Sequence, residues 1–242
     1  MKLPGSFVAA LCMSIGCSTW SVRAADWKVA AAPLVTPWAE TVDPKNPLPE
    51  YPRPLTERKD WLNLNGVWEF QEAQAGDAVP LGKILDGVIL VPFPWESALS
   101  GVRKQCDSRR AWYRREFNVP AAWSGKRVLL HFGAVDWEAT VYVNGRSIGT
   151  HRGGYDAFSF DITPFIKRDG DNKIIVGVFD PGNDAGIAVG KQENSRFSNP
   201  QRYSYCPSSG IWQTVWLEPV GERAITDLHP RPRTSTQLRS QR

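Results

Sequence analysis

Histidine and cysteine are scarce in this chain, with three and four copies among 242 residues. A nucleophilic triad needs a histidine close to a serine or cysteine, and the local patterns place His131 in a sheet, His151 in a turn and His229 in a tail. No paired histidine or cysteine spacing indicates a metal site, and no phosphate-binding glycine motif occurs. The sequence therefore predicts no metal and no cofactor.

The chain also lacks a long apolar run and a basic excess on its body. The formal net charge is +4, but six basic residues lie near the two ends: Lys2, Arg23, Arg231, Arg233, Arg239 and Arg242. Without them, 23 basic residues stand against 25 acidic ones. A nucleic-acid-binding protein carries its basic excess on the folded part. The sequence thus predicts no nucleic-acid partner and no membrane span.

Residues 1–24 have the features of a secretory signal peptide. Lys2 gives the positive start, residues 3–16 are mostly apolar, and Val22-Arg23-Ala24 supplies a cleavage point. The apolar stretch is too short to span a bilayer. We therefore expect a secreted or periplasmic protein. Lipoprotein anchoring at Cys17 is the weaker alternative, because Ser14 stands where such signals usually have leucine.

Only Cys106 and Cys206 remain after the expected cleavage. Two cysteines in an exported chain favour a disulfide, since export leads to an oxidising compartment. A single pair makes no spacing pattern, however, so two unpaired thiols are the alternative.

Residues 25–60 form a proline-rich segment that predicts an extended arm rather than a helix or central strand. Its prolines are Pro33, Pro37, Pro44, Pro47, Pro49, Pro52 and Pro54. Trp27, Trp38 and Tyr51 are candidate anchors of this arm on the folded surface. A mobile linker is the alternative.

Residues 61–220 alternate apolar and polar residues with a period of two, which is typical of antiparallel strands. Asn144-Gly145 predicts a tight hairpin turn, and Thr163-Pro164-Phe165-Ile166 is the one short helical signal. This pattern predicts an all-β fold, an antiparallel sandwich or jelly roll. Residues 221–242 begin like a further domain and then become a polar tail.

Two long loops, 92–110 and 181–209, interrupt the strands, and we place them at the same end of the sandwich. The second exceeds the usual loop length, which is typical of functional loops, although an irregular cover over one sheet is equally consistent. Asp136 and Glu138 could share a face as a carboxylate pair. We expect them instead to be solvated groups at a strand edge.

Several blocks of residues are recognisable together. They are Trp61-Leu62-Asn63-Leu64-Asn65-Gly66-Val67-Trp68 with Val91-Pro92-Phe93-Pro94, Ala111-Trp112-Tyr113-Arg114-Arg115 with Phe117, Val141-Tyr142-Val143-Asn144-Gly145 through His151-Arg152-Gly153-Gly154-Tyr155, and Ser209-Gly210-Ile211-Trp212 with Val215-Trp216-Leu217. Collectively they resemble the N-terminal sugar-binding jelly roll, a galactose-binding-like sandwich, of glycoside hydrolase family 2. That family includes β-galactosidases, β-glucuronidases and β-mannosidases.

The resemblance implies that an immunoglobulin-like domain and a (β/α)₈ barrel with both catalytic glutamates follow this domain. The Asn-Glu dipeptide and the Arg-x-x-His-Tyr-Pro signature of that barrel are missing here, so we assign no catalytic residue to this chain. The family pattern places Asp180 against the sugar, and the loop of Lys191 and Gln192 would face the barrel. A turn-initiating role of Asp180 before Pro181 is the alternative.

Three functions are consistent with these observations. The first is the accessory, sugar-binding part of an exported family 2 glycosidase that acts on β-glycosides, with carbohydrate and the missing domains as partners. The second is a standalone lectin-like module, and the third is a small complete glycosidase. We favour the first, because residues 221–242 begin a further domain and no rigid pair of acids is evident.

Overall fold

The computed structural model describes residues 27–197, 204–226, 228 and 230–231. The expected signal peptide, with Cys17, and His229 lie outside the described residues. The strands are β1 (Leu62–Asn63), β2 (Gly66–Glu72), β3 (Gly87–Val91), β4 (Arg110–Phe117), β5 (Arg127–Phe132), β6 (Val135–Asp136), β7 (Glu138–Val143), β8 (Arg146–Arg152), β9 (Phe158–Asp161), β10 (Asn172–Phe179), β11 (Gly210–Ile211) and β12 (Val215–Val220). Helix in the described ranges is confined to short 3₁₀ segments: Pro37–Thr41, Pro54–Thr56, Ala98–Ser100, Ala121–Trp123, Gly182–Asp184 and Asn194–Arg196.

Two antiparallel sheets form the sandwich. One has six strands in the order β3-β2-β4-β10-β7-β8, and the other has four in the order β1-β12-β5-β9. A third, two-stranded ladder pairs β6 with β11. The predicted all-β antiparallel jelly-roll sandwich is therefore confirmed.

The inner faces of both sheets supply one hydrophobic core. Trp68, Tyr113 and Val176 come from the six-stranded sheet, whereas Leu130 and Leu217 come from the four-stranded sheet, and all five side chains are buried. Each alternates along its strand with residues that face outward, because successive side chains of a strand point to opposite sides. The period of two in the sequence thus marks the residues that enter the core, whereas β12 is buried on both faces.

The turn predictions had different outcomes. Asn144-Gly145 joins β7 to β8 with positive φ angles of 50° and 81°, which confirms the tight hairpin. The helical signal at Thr163 is wrong, because its hydroxyl accepts a hydrogen bond from the Val128 amide of β5 (2.9 Å) instead of capping a helix. Only a turn forms there, closed by Phe165 N and Ile162 O (2.9 Å).

Two of the three histidines lie in strands. His131 of β5 is buried and stacks on Trp216 with ring centroids 4.8 Å apart, as its sheet position predicted. His151 was expected in a turn, but it belongs to β8 and stacks on Phe158 at 4.1 Å. β8 thus continues past His151 to Arg152.

The proline-rich arm lies against the sandwich at two of its aromatic residues. Trp27 Nε1 donates to the carbonyl oxygens of Leu99 and Ser100, both at 3.2 Å. Tyr51 packs edge-on against Trp61, with ring centroids 5.4 Å apart. Trp38 is 74% exposed, so its expected anchoring role is wrong. Its 3₁₀ segment, Pro37–Thr41, buries Ala39 instead.

Glu218 fastens the arm to the outer face of the four-stranded sheet. This carboxylate is fully buried and contacts Arg53 Nη2 (2.6 Å), Arg58 Nε (2.9 Å) and Trp216 Nε1 (2.7 Å), and the Tyr51 hydroxyl also donates to it. Burial alone would raise the pKa of Glu218, but the hydrogen bonds of the surrounding donors outweigh burial and hold this pKa well below its usual range. The arm therefore provides the cations that make this buried charge tolerable.

Replacing Glu218 with glutamine should lower the free energy of unfolding by about 3 kcal/mol, because two arginines lose their buried partner. Chemical denaturation followed by tryptophan fluorescence at pH 7 measures this loss. Glu138→Gln is the matched control: its partner Arg152 is 66% exposed, so we expect a loss below about 1 kcal/mol. Equal losses in the two variants would contradict a specific role of Glu218.

Candidate functional site

The two long loops meet at one end of the sandwich, as predicted. Ser209 donates from its amide and its hydroxyl to the Glu96 carboxyl group, at 2.9 and 2.7 Å. Trp95 N donates back to Ser209 O at 3.2 Å. β10 ends beside these loops, because the Asp180 amide donates to Arg109 O (3.0 Å).

A cavity of about 200 Å³ opens between these loops. Its lining includes Trp95, Glu96, Asp107, Arg109, Asp180, Asn194 and Ser209. Carboxyl, guanidinium, amide and hydroxyl groups thus face one space, and such groups suit a ligand with many hydroxyls, since hydroxyls both donate and accept. The cavity is smaller than a typical small-molecule pocket of 300–1,000 Å³.

Asp180 initiates a turn, as one of the two alternatives predicted, and it also lines the cavity. Its Oδ1 accepts a hydrogen bond from Gly182 N at 2.7 Å, so it initiates the turn after β10. The same side chain is only 6% exposed and lines the cavity. The turn therefore fixes the carboxyl group at the cavity wall.

Gln192 ties the second loop to the sandwich. Its Nε2 donates to Asp136 Oδ2 (3.1 Å) and to the Tyr155 hydroxyl (3.0 Å), and its Oε1 accepts from Ser208 N (2.6 Å). Both amide protons are therefore used within the protein. Lys191 is exposed and is not part of the cavity lining, although its carbonyl accepts from Tyr205 N (2.8 Å). Gln192 is not part of the cavity lining either; it bonds to Asp136, a carboxyl group that the charge of Asp180 also affects.

Asp136 was expected to be a solvated group at a strand edge, and this prediction is wrong. It is 4% exposed rather than solvated, because β6 pairs with β11 and Gly154 packs directly on the carboxyl group. A Cβ atom at Gly154 would lie 2.5 Å from Asp136 Oδ1. Glu138 is half-buried and pairs with Arg152 (2.7 Å), so the two acids do not form a catalytic pair.

Burial raises the pKa of Asp136 to about 7, and the charge of Asp180 adds to this rise, whereas the hydrogen bond from Gln192 opposes it. Burial likewise raises the pKa of Glu96 to about 7, against the hydrogen bonds from Ser209. Glu96 was not singled out from the sequence. Its only signal was its place in the first long loop, directly after Trp95.

The structure differs from the disulfide hypothesis, since Cys106 and Cys206 are free thiols. Cys106 is packed into the hydrophobic core, and Cys206 is half-buried in the second loop. Burial raises the pKa of the Cys106 thiol to about 12 and that of Cys206 to about 11. Such thiols hold little thiolate, the species that forms disulfides.

Within the described part of the chain, no group of three or more histidine, cysteine or acidic side chains could hold a metal ion. The same residues contain no helix with the length and apolar character of a membrane span.

Comparison with known proteins identifies the family. The family model for the sugar binding domain of glycosyl hydrolases family 2 matches residues 89–218, more than half of the chain. The chain therefore belongs to this family, and the matched region is its N-terminal sugar-binding domain, as the resemblance predicted.

Individual relatives agree with this assignment. The chain is 34% identical over 176 residues to a beta-galactosidase of Thermoanaerobacter pseudethanolicus, which covers 71% of this chain and 22% of the relative. It is 32% identical over 183 residues to a beta-galactosidase of Bacteroides ovatus, with 69% and 19% covered. The solved beta-glucuronidase of Lactobacillus rhamnosus superposes with a TM-score of 0.53 at 25% identity, covering 71% of this chain and 30% of that one. The chain spans about a fifth of the length of the curated relatives.

Asp136→Asn should stabilise the protein increasingly as the pH rises. The pKa of this carboxyl group is about 7 in the folded state and about 3.9 in an unfolded chain, so the folded state holds the proton longer and wild-type stability falls as the pH rises from 4 to 7. Asparagine keeps the oxygen that accepts from Gln192 but carries no charge. We expect its gain over wild type to grow by roughly 2–3 kcal/mol between pH 5 and pH 8 in urea unfolding.

Asp161→Asn is the control with the opposite sign. Burial would raise the pKa of Asp161, but hydrogen bonds from Thr163 and Arg127 outweigh burial and lower it. Its stabilising contribution is therefore present above the unfolded pKa and lost on acidification. A gain of Asp136→Asn that stays constant from pH 5 to pH 8 would contradict the raised pKa.

Proposed function

We propose that this chain supplies the sugar-binding domain of an exported β-glycosidase and that its Asp180 contacts the sugar. The observation that carries the proposal is the cavity at the loop end, where Asp180 is fixed by its own turn among Glu96, Arg109 and Asn194. A carboxylate held in this way can accept hydrogen bonds from sugar hydroxyls without losing side-chain freedom on binding.

The size of the cavity supports an accessory rather than an independent role. Sites for small molecules enclose most of their ligand, and about 200 Å³ does not enclose a glycoside. The cavity would then be one wall of a site whose other wall belongs to another domain. The relatives are about five times longer than the matched segment, which is consistent with further domains.

The substrate class is inferred from the family. Relatives of this domain are named as beta-galactosidases and beta-glucuronidases, so we infer a β-linked glycoside as the substrate of the whole protein. The family pattern assigns the two catalytic glutamates to the barrel. Asp136 and Glu138 are separated by their different pairings, and neither is a candidate for them.

The isolated chain should bind galactose with a dissociation constant weaker than about 1 mM, and Asp180→Asn should weaken this binding further, by at least about tenfold. Nuclear magnetic resonance titration of the full chain measures both. Asp171→Asn, a change of the same kind in an exposed turn, should leave the affinity unchanged.

Two results would overturn the accessory role. Micromolar binding of a simple sugar by the isolated chain would favour a standalone lectin-like module. Turnover of nitrophenyl β-galactoside or β-glucuronide, abolished by Asp136→Asn or Glu138→Gln, would favour a small complete glycosidase.

Export has its own test. When the full chain is expressed in a bacterial host, we expect mass spectrometry of the mature protein to find its first residue at Ala25, after cleavage at Ala24. A lipid-modified Cys17 as the first residue would establish the lipoprotein alternative instead. An intact Met1 in the cytoplasmic fraction would contradict export.

A further inference from the structure

A second cavity, of about 180 Å³, lies on the outer face of the four-stranded sheet. Its polar lining residues are Arg53 and Arg58 of the arm, His131 of β5, Ser159 of β9, Glu218 of β12 and Thr226 of the segment after β12. It shares no lining residue with the cavity at Asp180. Binding at this second cavity is therefore independent of the proposed function.

The charged groups around this cavity do not balance. Two guanidinium groups face a single carboxylate, that of Glu218, so the lining carries one net positive charge when His131 is neutral. Arg53 and Arg58 keep about a quarter of their side chains exposed, at 28% and 25%, whereas Glu218 is fully buried. The excess charge is thus on the side that solutes can reach.

Three buried nitrogen atoms at the cavity have no hydrogen-bond partner among the described residues. They are Arg53 Nε, Arg58 Nε and His131 Nε2. Arg58 Nε lies within ion-pair distance of Glu218 but makes no hydrogen bond with it, and His131 Nε2 is 3.5 Å from the same carboxylate. These three nitrogens are buried, so a ligand meets the exposed parts of the two guanidinium groups instead. Guanidinium nitrogens only donate, and a fitting ligand therefore supplies acceptor oxygens.

The rest of the lining is apolar. The apolar lining residues include Leu129, Phe158 and Val220. An inorganic anion would leave this surface without a contact. A carboxylate attached to a carbon skeleton fits both the charged and the apolar side of the cavity. The planar guanidinium groups pair well with the carboxylate, and the apolar wall contacts the skeleton.

We propose that this cavity is a binding site for an organic carboxylate, which is held by Arg53 and Arg58. The carboxylate has two sources: a uronic acid in solution, or an acidic side chain of another part of the same polypeptide. Both present a carboxylate to the same two guanidinium groups, so the two sources differ only in what is attached to that carboxylate.

The test is a titration of the full chain by nuclear magnetic resonance with four probes: glucuronate, acetate, glucose and inorganic phosphate. We expect glucuronate to give saturable shifts at residues around the cavity, and glucose, which shares its ring but lacks the carboxylate, to give none there. Arg58→Gln should weaken the glucuronate affinity at least tenfold, and Arg58→Lys, which keeps the charge, should weaken it less. Arg127→Gln is the matched control, because this exposed arginine pairs with Asp161 outside the cavity.

Each outcome decides the proposal. Glucuronate binding that Arg58→Gln weakens supports the uronic acid as the source, and acetate binding without glucuronate binding supports an acidic side chain. Phosphate binding alone, equal shifts with glucose, or no shift with any probe would overturn the proposal. Glucuronate binding that Arg127→Gln weakens as much as Arg58→Gln would also overturn it. Thermal unfolding of each variant separates lost binding from lost folding.

Discussion

Burying a carboxylate is the constraint on which the rest of this sandwich depends, because an unpaired buried charge costs several kcal/mol. The chain satisfies it in two ways. Glu69 and Glu218 are paired with arginines, through Arg114 on the neighbouring strand and through Arg53 and Arg58 of the arm. Glu96 and Asp136 meet hydroxyl, amide and backbone donors instead, and burial raises their pKa values to about 7.

The carboxylates paired with arginines and those that meet neutral donors lie in different parts of the fold. Glu69 and Arg114 are direct cross-strand partners in the β2–β4 ladder, so the sheet register itself brings the charges together. Glu96 and Asp136 lie where the chain leaves the sheets, and their partners come from loops. Paired charges therefore stabilise the sheets and the arm, whereas the protonatable carboxyl groups collect at the loop end beside the cavity.

The sequence predicted what depends on local pattern. Alternation predicted the β2, β4, β5, β7 and β10 strands, and the Asn144-Gly145 dipeptide predicted the hairpin. It did not predict the environment of Asp136, which is set by Gly154 and by Gln192 at a separation of 56 residues. Nor did it predict the contact of Glu218 with Arg53, 165 residues away. Such contacts leave no periodicity in a single sequence, and only the folded topology creates them.

The candidate site shows the same difference between features set by local sequence pattern and features set by long-range contacts. The family pattern singled out Asp180 by a local feature, its position directly after an Ile/Val-rich strand, and the structure places this residue in the cavity lining. The role of Gln192 was not recoverable, because its amide is fully occupied by Asp136, Tyr155 and Ser208, which come from three separate segments.

The internal hydrogen bonds of Gln192 bear on the proposed function. With Gln192 used internally and Lys191 exposed outside the cavity, the polar groups at the cavity wall are Asp180 and lining neighbours such as Glu96 and Asn194. Contacts from one wall alone orient a ligand but do not retain it, because association costs at least several kcal/mol in lost translational and rotational freedom. On the proposed function, the domain contributes orientation and Gln192 keeps the second loop in place, while most of the binding energy comes from the opposing wall.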